Sequence, residues 1–456
     1  MGTESLRLTA GATSVDDLTD DLLELVHLGL SSPAYLVRAS ATCKRWYRLV
    51  AGTGGAAFLR RFRSLHPPRA IGTFYSIIPD PDQPRSYGEN HLWPYVDPVF
   101  VPSSASASDE PSGGLQLSLD FVPPANHGRR ELVDGRGSLL LLLGEKDRTD
   151  CPCCWMAADY MIPDLVVCEP VTRQYQAIPT PIRNVCVLGA FLLNGDADEA
   201  CAGATIGMTN FSVLLVQYEH DYRNGEANGH GHPLASMFTC CGGYGGWYYG
   251  ENDEDGVYLP SLDEVHLAGW TGGRIYWGCE DKQVMVVDER TLEFSVMALP
   301  EHMTSWMEFG RDDFRVVGGG HAGTVRIINF TYNGELEVFG QLRGGSGNDD
   351  WVLEMSVRME EASPGLPVEH EEEEDYDLVT GTRIIDTAEG LVVLLSPQMG
   401  AFSVDLEAKE LKREDGRKEY TGPAFPYTLP WPPVMRACVD DMAPKGEREE
   451  ESEWTI

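Results

Sequence analysis

Residues 165–175, LVVCEPVTRQY, form an apolar run that ends in an acidic turn and continues as alternating polar and apolar residues. The same frame recurs at 284–294, VMVVDERTLEF, and at 401–411, AFSVDLEAKEL. Short β-branched runs bounded by acidic, Gly or Pro residues are typical of β-strands joined by tight turns. Each frame is therefore predicted to be a strand–turn–strand unit.

A glycine leads a further apolar run ahead of each frame, at Gly137, Gly273 and Gly390. The resulting order of Gly-led strand, strand, turn and strand is that of one antiparallel blade, and its recurrence predicts a β-propeller. At about 45–60 residues per blade we expect about six blades, and a β-sandwich assembly is the alternative. The remaining length is assigned to long loops at 98–131, 194–208, 219–256 and 360–378.

The first part of the chain has a different pattern, because the sequence of residues 18–58 predicts three short helices in a row. Ser32 and Pro33 are the residue types preferred at a helix cap and at the first helical position. Gly52 is predicted to end the third helix in a left-handed turn. The apolar stripe of the first helix consists of Leu18, Leu22, Leu23, Val26 and Leu30.

A segment of about forty residues is too small to bury a sufficient core alone. A small apolar helical unit at one end of a large chain therefore indicates a docking element. The alternative is that residues 18–58 form a helical cap on the domain that follows.

This segment contains, in this order, Leu18, the amphipathic helix 20–30, Leu36-Val37-Arg38, Cys43-Lys44-Arg45-Trp46 and Phe58. On the order of these residues, the segment resembles an F-box. The resemblance implies that the segment docks on a Skp-type adaptor and through it joins a cullin. The adaptor contacts that it implies are Leu18, Leu22, Leu23, Val26, Leu30, Leu36, Val37, Cys43, Lys44, Trp46 and Leu49.

The element Cys168–Arg173 resembles the Cys-Asn-Pro-x-Thr-Arg turn of F-box-associated propellers in plants, with Glu169 in place of Asn. The whole chain thus resembles a plant F-box protein with a C-terminal F-box-associated, propeller-like β domain. We expect an α+β protein in two parts, a three-helix F-box followed by a large all-β, propeller-like domain. The expected parts are a disordered tail at 1–15, the F-box at 16–62, the β domain at 68–440 and an acidic disordered tail at 441–456.

The two resemblances together imply a non-catalytic protein, the substrate-recognition subunit of a Skp–cullin–F-box ubiquitin ligase. In such a complex the F-box binds the adaptor and the β domain binds a target protein, whose identity the sequence does not specify. Two alternatives are a propeller scaffold or adaptor protein outside any ligase and a metal-dependent propeller enzyme.

The charge of the chain is unevenly distributed. The net charge is −36, residues 1–68 have a balance of +2, and the remainder has −38. A surface this acidic repels polyanions, so nucleic acid and anionic membranes are excluded as expected partners, and a basic or neutral partner is favoured. The absence of an export signal and of a membrane-spanning run predicts an intracellular protein with reduced cysteines, in the cytoplasm or the nucleus.

Metal and catalytic motifs are weak in this sequence. Cys151 and Cys154 have the Cys-x-x-Cys spacing of a zinc site, but the chain has no second such pair. Cys240-Cys241, and His230 with His232 in a Gly-rich stretch, do not complete one. We therefore expect no metal, no cofactor and no catalytic residue.

Candidate target-binding residues are aromatic side chains in Gly-rich stretches, which suit recognition by loops at one end of a propeller channel. The same side chains are equally suited to filling gaps between blades, and both interpretations stay open. These candidates are Tyr244, Trp247, Tyr248, Tyr249, Trp306 and Trp351.

Overall fold

The structure is a computed structural model, and it divides into two compact units, Met1–Arg69 with Leu429–Ile456 and Ala70–Thr428. It describes residues 18–52, 55–67, 69–77, 96–103, 117–125, 130–144, 164–179, 186–194, 206–223, 226–241, 244–250, 257–259, 265–279, 283–300, 303, 314–319, 324–331, 334–342, 351–358, 383–388, 391–396, 400–413 and 424–430. Both predicted tails, 1–15 and 441–456, lie outside the described residues.

The described part of the first unit contains four helices: α1 (Asp20–Leu28), α2 (Pro33–Ser40), α3 (Lys44–Ala51) and α4 (Gly55–Leu65). The three predicted helices are present, and α4 is an additional one. Its apolar residues, Phe58, Leu59, Phe62 and Leu65, have helical spacing, but the glycines at its start had indicated a break. None of the described helices has both the length and the apolar character needed to cross a membrane.

The ends of the helices follow from local sequence. Ser32 caps α2, since its Oγ accepts a hydrogen bond from the Tyr35 backbone N–H at 3.4 Å, and Pro33 occupies the first helical position. The predicted left-handed turn at Gly52 is wrong, because its backbone is extended, with φ −77° and ψ −167°. Gly52 is required for another reason: a Cβ there would lie 2.2 Å from the Arg48 carbonyl oxygen.

The helical unit has a core of its own. Leu28, Leu36, Val50, Phe58 and Phe62 are buried together. Two of these five residues come from α4, so the fourth helix supplies much of the apolar surface that three short helices lack.

The second unit is all β. Its strands are β1 (Ala70–Ile77), β2 (Val96–Pro102), β3 (Arg130–Arg136), β4 (Leu139–Gly144), β5 (Leu165–Glu169), β6 (Gln174–Ile178), β7 (Cys186–Asn194), β8 (Phe211–Arg223), β9 (Glu226–Cys241), β10 (Tyr244–Tyr249), β11 (Val265–Thr271), β12 (Arg274–Cys279), β13 (Gln283–Asp288), β14 (Phe294–Ala298), β15 (Phe314–Gly318), β16 (Val325–Phe330), β17 (Glu335–Gln341), β18 (Trp351–Arg358), β19 (Arg383–Ala388), β20 (Leu391–Ser396), β21 (Gly400–Asp405), β22 (Glu410–Arg413) and β23 (Ala424–Thr428).

These strands form six antiparallel sheets, which are the six blades of a β-propeller, as predicted. The last strand, β23, pairs with β1, with Phe425 opposite Phe74, and so closes the ring between the two ends of the unit. The blades are blade 1 (β3–β6), blade 2 (β7–β10), blade 3 (β11–β14), blade 4 (β15–β18), blade 5 (β19–β22) and blade 6 (β23, β1 and β2).

The apolar core lies between blades. Five buried clusters each combine residues of two consecutive blades, from blades 1 and 2 through blades 4 and 5, and from blades 6 and 1. Between blades 2 and 3, for example, Trp277 is fully buried with its ring 5.8 Å from that of Phe191. Side chains from both faces of blades 1 to 4 therefore contribute to the stability of the ring.

The three sequence frames mark every second blade. Each frame covers the third strand, the turn and the start of the fourth strand of its blade, in blades 1, 3 and 5. The turn begins at Glu169, Asp288 or Asp405. The Asp405 carboxylate accepts hydrogen bonds from the backbone N–H of Glu407 and Ala408 at 2.9 and 2.8 Å. Four residues after the acid the backbone adopts a positive φ in all three turns, at Arg173, Leu292 and Lys409.

Two predicted loops contain strands: 98–131 includes most of β2 and the start of β3, and 219–256 is largely strand. The stretch 219–256 contains the end of β8, all of β9 and all of β10. Glycine, asparagine, histidine and Pro233 in β9 gave the pattern of a loop. The strand forms because it pairs with β8, whose residues Phe211–Tyr218 are buried and anchor the hairpin.

The Asp134 side chain on β3, the first strand of blade 1, accepts a hydrogen bond from β7, the first strand of blade 2. Its Oδ2 accepts a hydrogen bond from the Leu192 backbone N–H at 2.6 Å, and its Oδ1 accepts one from Gly135 at 2.7 Å. Burial raises the pKa of Asp134 from 3.8 to about 6, although both hydrogen bonds favour the carboxylate.

This pKa predicts a pH dependence of stability. Between pH 4 and 6 the folded state binds more protons than the unfolded state. As the pH rises from 4 to 6, the contribution of Asp134 to the free energy of unfolding therefore falls by about 2–3 kcal/mol. Asp134→Asn should therefore become more stable relative to the wild type as the pH rises, measured by urea unfolding at pH 4 and 7. Asp405→Asn is the control: backbone hydrogen bonds from Ala408 and Glu407 lower the pKa of Asp405, so its trend should be opposite. Parallel pH profiles for the wild type and Asp134→Asn would contradict the assignment.

Candidate docking surfaces

The first helix has apolar side chains on two faces. Leu23, His27 and Leu28 are buried, whereas Leu22, Leu25 and Val26 are 48%, 54% and 50% exposed. Residues at positions i, i+3 and i+4 lie next to one another on a helix. Leu22, Leu25 and Val26 therefore form one exposed apolar row, called here the outer row of α1.

The residues predicted to contact an adaptor fall into three groups. Leu22, Val26, Cys43 and Lys44 are exposed, and five are partly buried: Leu18, Leu30, Val37, Trp46 and Leu49. Leu23 and Leu36 are fully buried among the helices of their own unit. Their inclusion among the contacts is corrected, because a side chain with no accessible surface cannot contact a partner without unfolding.

Leu25 is absent from the residues predicted from the sequence. The predicted stripe has a spacing of mostly four residues, and Leu25 falls between two of its members, Leu23 and Val26. The available signal was the i, i+3, i+4 relation of Leu22, Leu25 and Val26, which defines a second apolar face.

The Cys-Lys-Arg-Trp motif joins α3 to α1. Arg45 forms an ion pair with Asp20, with a 2.8 Å distance between Nη2 and Oδ1, and also donates a hydrogen bond to the Leu18 carbonyl. The Trp46 ring lies edge-on to the His27 ring at 4.9 Å, and His27 Nδ1–H donates to the Leu23 carbonyl at 2.7 Å. Two residues of the motif thus fix α1, while Cys43 and Lys44 remain on the surface.

Two tryptophans among the target-binding candidates join neighbouring blades. Trp247 on β10 of blade 2 donates from Nε1 to the Pro179 carbonyl, which follows the last strand of blade 1. Trp351 on β18 of blade 4 donates to the Ala298 carbonyl in the last strand of blade 3, at 3.2 Å. Both rings also pack against the core between their two blades. Of the two interpretations left open by the sequence, these contacts favour the gap-filling one for Trp247 and Trp351.

The four candidates Tyr244, Trp247, Tyr248 and Tyr249 were expected in a loop at the end of the channel. That expectation is wrong, because residues 244–249 form β10, the outermost strand of blade 2. Tyr248 is 66% exposed and Tyr249 is half exposed. The side chain of Tyr244, and Trp306 as a whole, lie outside the described residues.

The part of the chain that the structure describes contains no group of three His, Cys, Asp or Glu side chains placed to hold a metal ion. Cys151 and Cys154 lie outside it, as do the side chains of His230 and Cys241. Cys240 is buried, and its thiol is 3.5 Å from the Gln176 side-chain oxygen. His232 packs edge-on against Tyr258 at 4.9 Å.

Residues 248–435 match a protein-family model described as F-box protein AT5G49610-like, beta-propeller. The match begins in β10 and runs through blades 3, 4 and 5 to the closing strand, which is less than half of the chain. No curated protein matches this sequence.

Several solved structures match this chain at low similarity. AztD from Citrobacter koseri is 11% identical, with a TM-score of 0.30, over 79% of this chain and 98% of that one. AofleA from Arthrobotrys oligospora is 12% identical, with a TM-score of 0.31, over 63% and 74%. The Cps50 (Swd1) beta-propeller domain from Myceliophteria thermophila is 10% identical, with a TM-score of 0.29, over 66% and 91%. Such low values carry no information on function.

Proposed function

We propose that this chain is the substrate-recognition subunit of a Skp–cullin–F-box ubiquitin ligase. The helical unit docks on the Skp-type adaptor, which connects it to the cullin, and the propeller binds the target protein. The name of the matching family model and the order of the F-box-like residues in 18–58 support this role.

The single observation that carries the proposal is the outer row of α1. The helical unit buries its own core around Leu36, Val50 and Phe62, yet it leaves Leu22, Leu25 and Val26 half exposed on one face. An aligned apolar row on a short helix is a typical site for a partner helix or groove. Lys44 and Cys43, at the start of α3, are the polar residues proposed to complete the contact.

The proposed role requires no catalytic group in this chain. A receptor accelerates ubiquitin transfer by holding the target close to the enzyme that carries ubiquitin, which raises the effective concentration of the target. Two binding surfaces on one chain are sufficient for that purpose. The intracellular location, in the cytoplasm or the nucleus, and the predicted domain bounds belong to the same proposal.

The outer row gives a direct test. Leu22→Asp combined with Val26→Asp places two carboxylates on the proposed interface without changing the buried core, so we expect the full chain to bind a purified Skp-type adaptor about 100-fold more weakly. Biolayer interferometry on immobilised adaptor measures the dissociation constant. Leu65→Asp is the matched control, because Leu65 is 57% exposed on α4 and outside the row. Equal affinity of the double variant and the wild type would reject the proposal.

A further inference from the structure

Among the described strands, β10 is the outer edge of its sheet and carries exposed aromatic side chains. In blade 2 the strand order is β10, β9, β8, β7, so β9 is its one neighbour among the described strands. Successive side chains of a strand point to opposite faces, which places Tyr248 and Tyr249 on either side of this edge. Both are exposed, at 66% and 50%.

Two other outer edges carry features that block pairing with a further strand. The strand β2 contains Pro98 and Pro102, and β22 has only four residues, including Lys412 and Arg413. Prolines, short length and basic residues are recognised ways of protecting a sheet edge. The sequence of β10, YGGWYY, has none of these protective residues. At Gly246 a Cβ would meet no described atom within 4 Å, so the face of the sheet is open at this position.

The chain around β10 is strongly acidic. Residues 184–264 contain 12 Asp and Glu but a single basic residue, Arg223, and the six residues that follow Gly250 include four carboxylates. The faces of tyrosine rings also attract cations. The negative charge of this stretch of sequence and the exposed tyrosine rings therefore both favour a positively charged partner.

We propose that β10 binds a lysine- or arginine-rich, extended segment of the target as an added β-strand. The inference rests on the proposed function, in which the propeller is the target-binding part. Backbone hydrogen bonds along β10 supply affinity, and Tyr248 and Tyr249 cover the aliphatic stems and cationic ends of the basic side chains. A second copy of this chain is disfavoured as the occupant, because its net charge of −36 would be repelled.

The probe for this proposal is a fluorescein-labelled peptide of five Lys-Val repeats, titrated with the full chain and followed by fluorescence anisotropy. We expect Tyr248→Ala to weaken binding about tenfold, through loss of ring contact with cations and apolar stems. Tyr175→Ala is the matched control: Tyr175 is 47% exposed on β6, the outer strand of blade 1, between Arg173 and Arg183. It should bind as the wild type does.

Two further peptides separate strand addition from simple charge attraction. Methylation of the backbone nitrogens of the two central residues removes one donor from each edge of the peptide, and binding should weaken at least about tenfold. A Glu-Val repeat of the same length should not bind. Equal binding of the methylated peptide, or equal weakening by Tyr175→Ala and Tyr248→Ala, would overturn the proposal.

Peptide binding by β10 and adaptor binding by the helical unit can be measured separately. Tyr248→Ala should keep the wild-type affinity for the Skp-type adaptor, since it leaves the helical unit unchanged. Loss of peptide binding with adaptor binding intact supports the assignment of β10. If the wild-type chain binds the adaptor but not the peptide, only the β10 proposal fails; if it binds the peptide but not the adaptor, only the ligase role fails.

Discussion

Gly269→Ala is expected to destabilise the propeller by about 3 kcal/mol or more. Gly269 lies on β11, the first strand of blade 3, and a Cβ there would be 2.0 Å from the carbonyl oxygen of Val316 on β15, the first strand of blade 4. The clashing atom belongs to the backbone, so no side-chain rotation relieves the contact, and the two blades must move apart. The cluster between them, which includes Ala268 and Phe314, would lose packing as a result.

The midpoint of urea unfolding, followed by tryptophan fluorescence at pH 7, measures this effect. Gly246→Ala is the matched control, because it makes the same chemical change in a strand where the added methyl group meets open space. Its stability should stay within about 1 kcal/mol of the wild type. Similar midpoints for Gly269→Ala and the wild type would show that blades 3 and 4 do not approach as closely as described.

The propeller was predictable because its local signals repeat. The acidic turns at Glu169, Asp288 and Asp405 are determined by short-range interactions, a side-chain or backbone hydrogen bond to the acid and a positive φ four residues later. Such interactions leave a trace in sequence. The three frames lie in blades 1, 3 and 5, which is every second blade of the six.

The sequence frame of those turns does not recur in blades 2 and 4, but these two blades share a long-range contact. Trp247 and Trp351, 104 positions apart, each bind a backbone carbonyl of the preceding blade. A carbonyl acceptor has no sequence signature, since every residue carries one. The sequence therefore identifies these tryptophans as candidates for target binding or for packing between blades, but it cannot distinguish the two roles.

The helical unit shows a second limit. Leu22, Leu23, Leu25 and Val26 span an arc of about 160° on α1, which is wide enough to face more than one neighbour, so periodicity alone cannot state which part of that arc is covered. The outcome depends on α3 and α4, which pack on the side of Leu23 and His27. A docking surface on a short helix is thus a tertiary property, although the segment that carries it was identifiable from sequence.

This division between faces predicts opposite consequences for two neighbouring substitutions. Leu23→Asp introduces a carboxylate at a fully buried position in the core of a unit of about fifty residues, and we expect it to cost about 4 kcal/mol or more. Units of this size have little stability in reserve, so α1–α4 should unfold while the propeller stays folded. Leu22→Asp places the same group at an exposed position and should leave the helices intact.

Hydrogen–deuterium exchange of the full chain, analysed by mass spectrometry, resolves the two cases. In Leu23→Asp the peptides covering residues 18–67 should exchange without protection, and those of blades 1–5 should match the wild type. Leu22→Asp should show wild-type protection in both regions, together with weaker adaptor binding. Leu23→Met serves as the control, because it conserves apolar character and volume and should cost less than about 1.5 kcal/mol. If Leu23→Asp retained helix protection and lost only the adaptor, Leu23 would belong to the docking surface and the outer row would not be its centre.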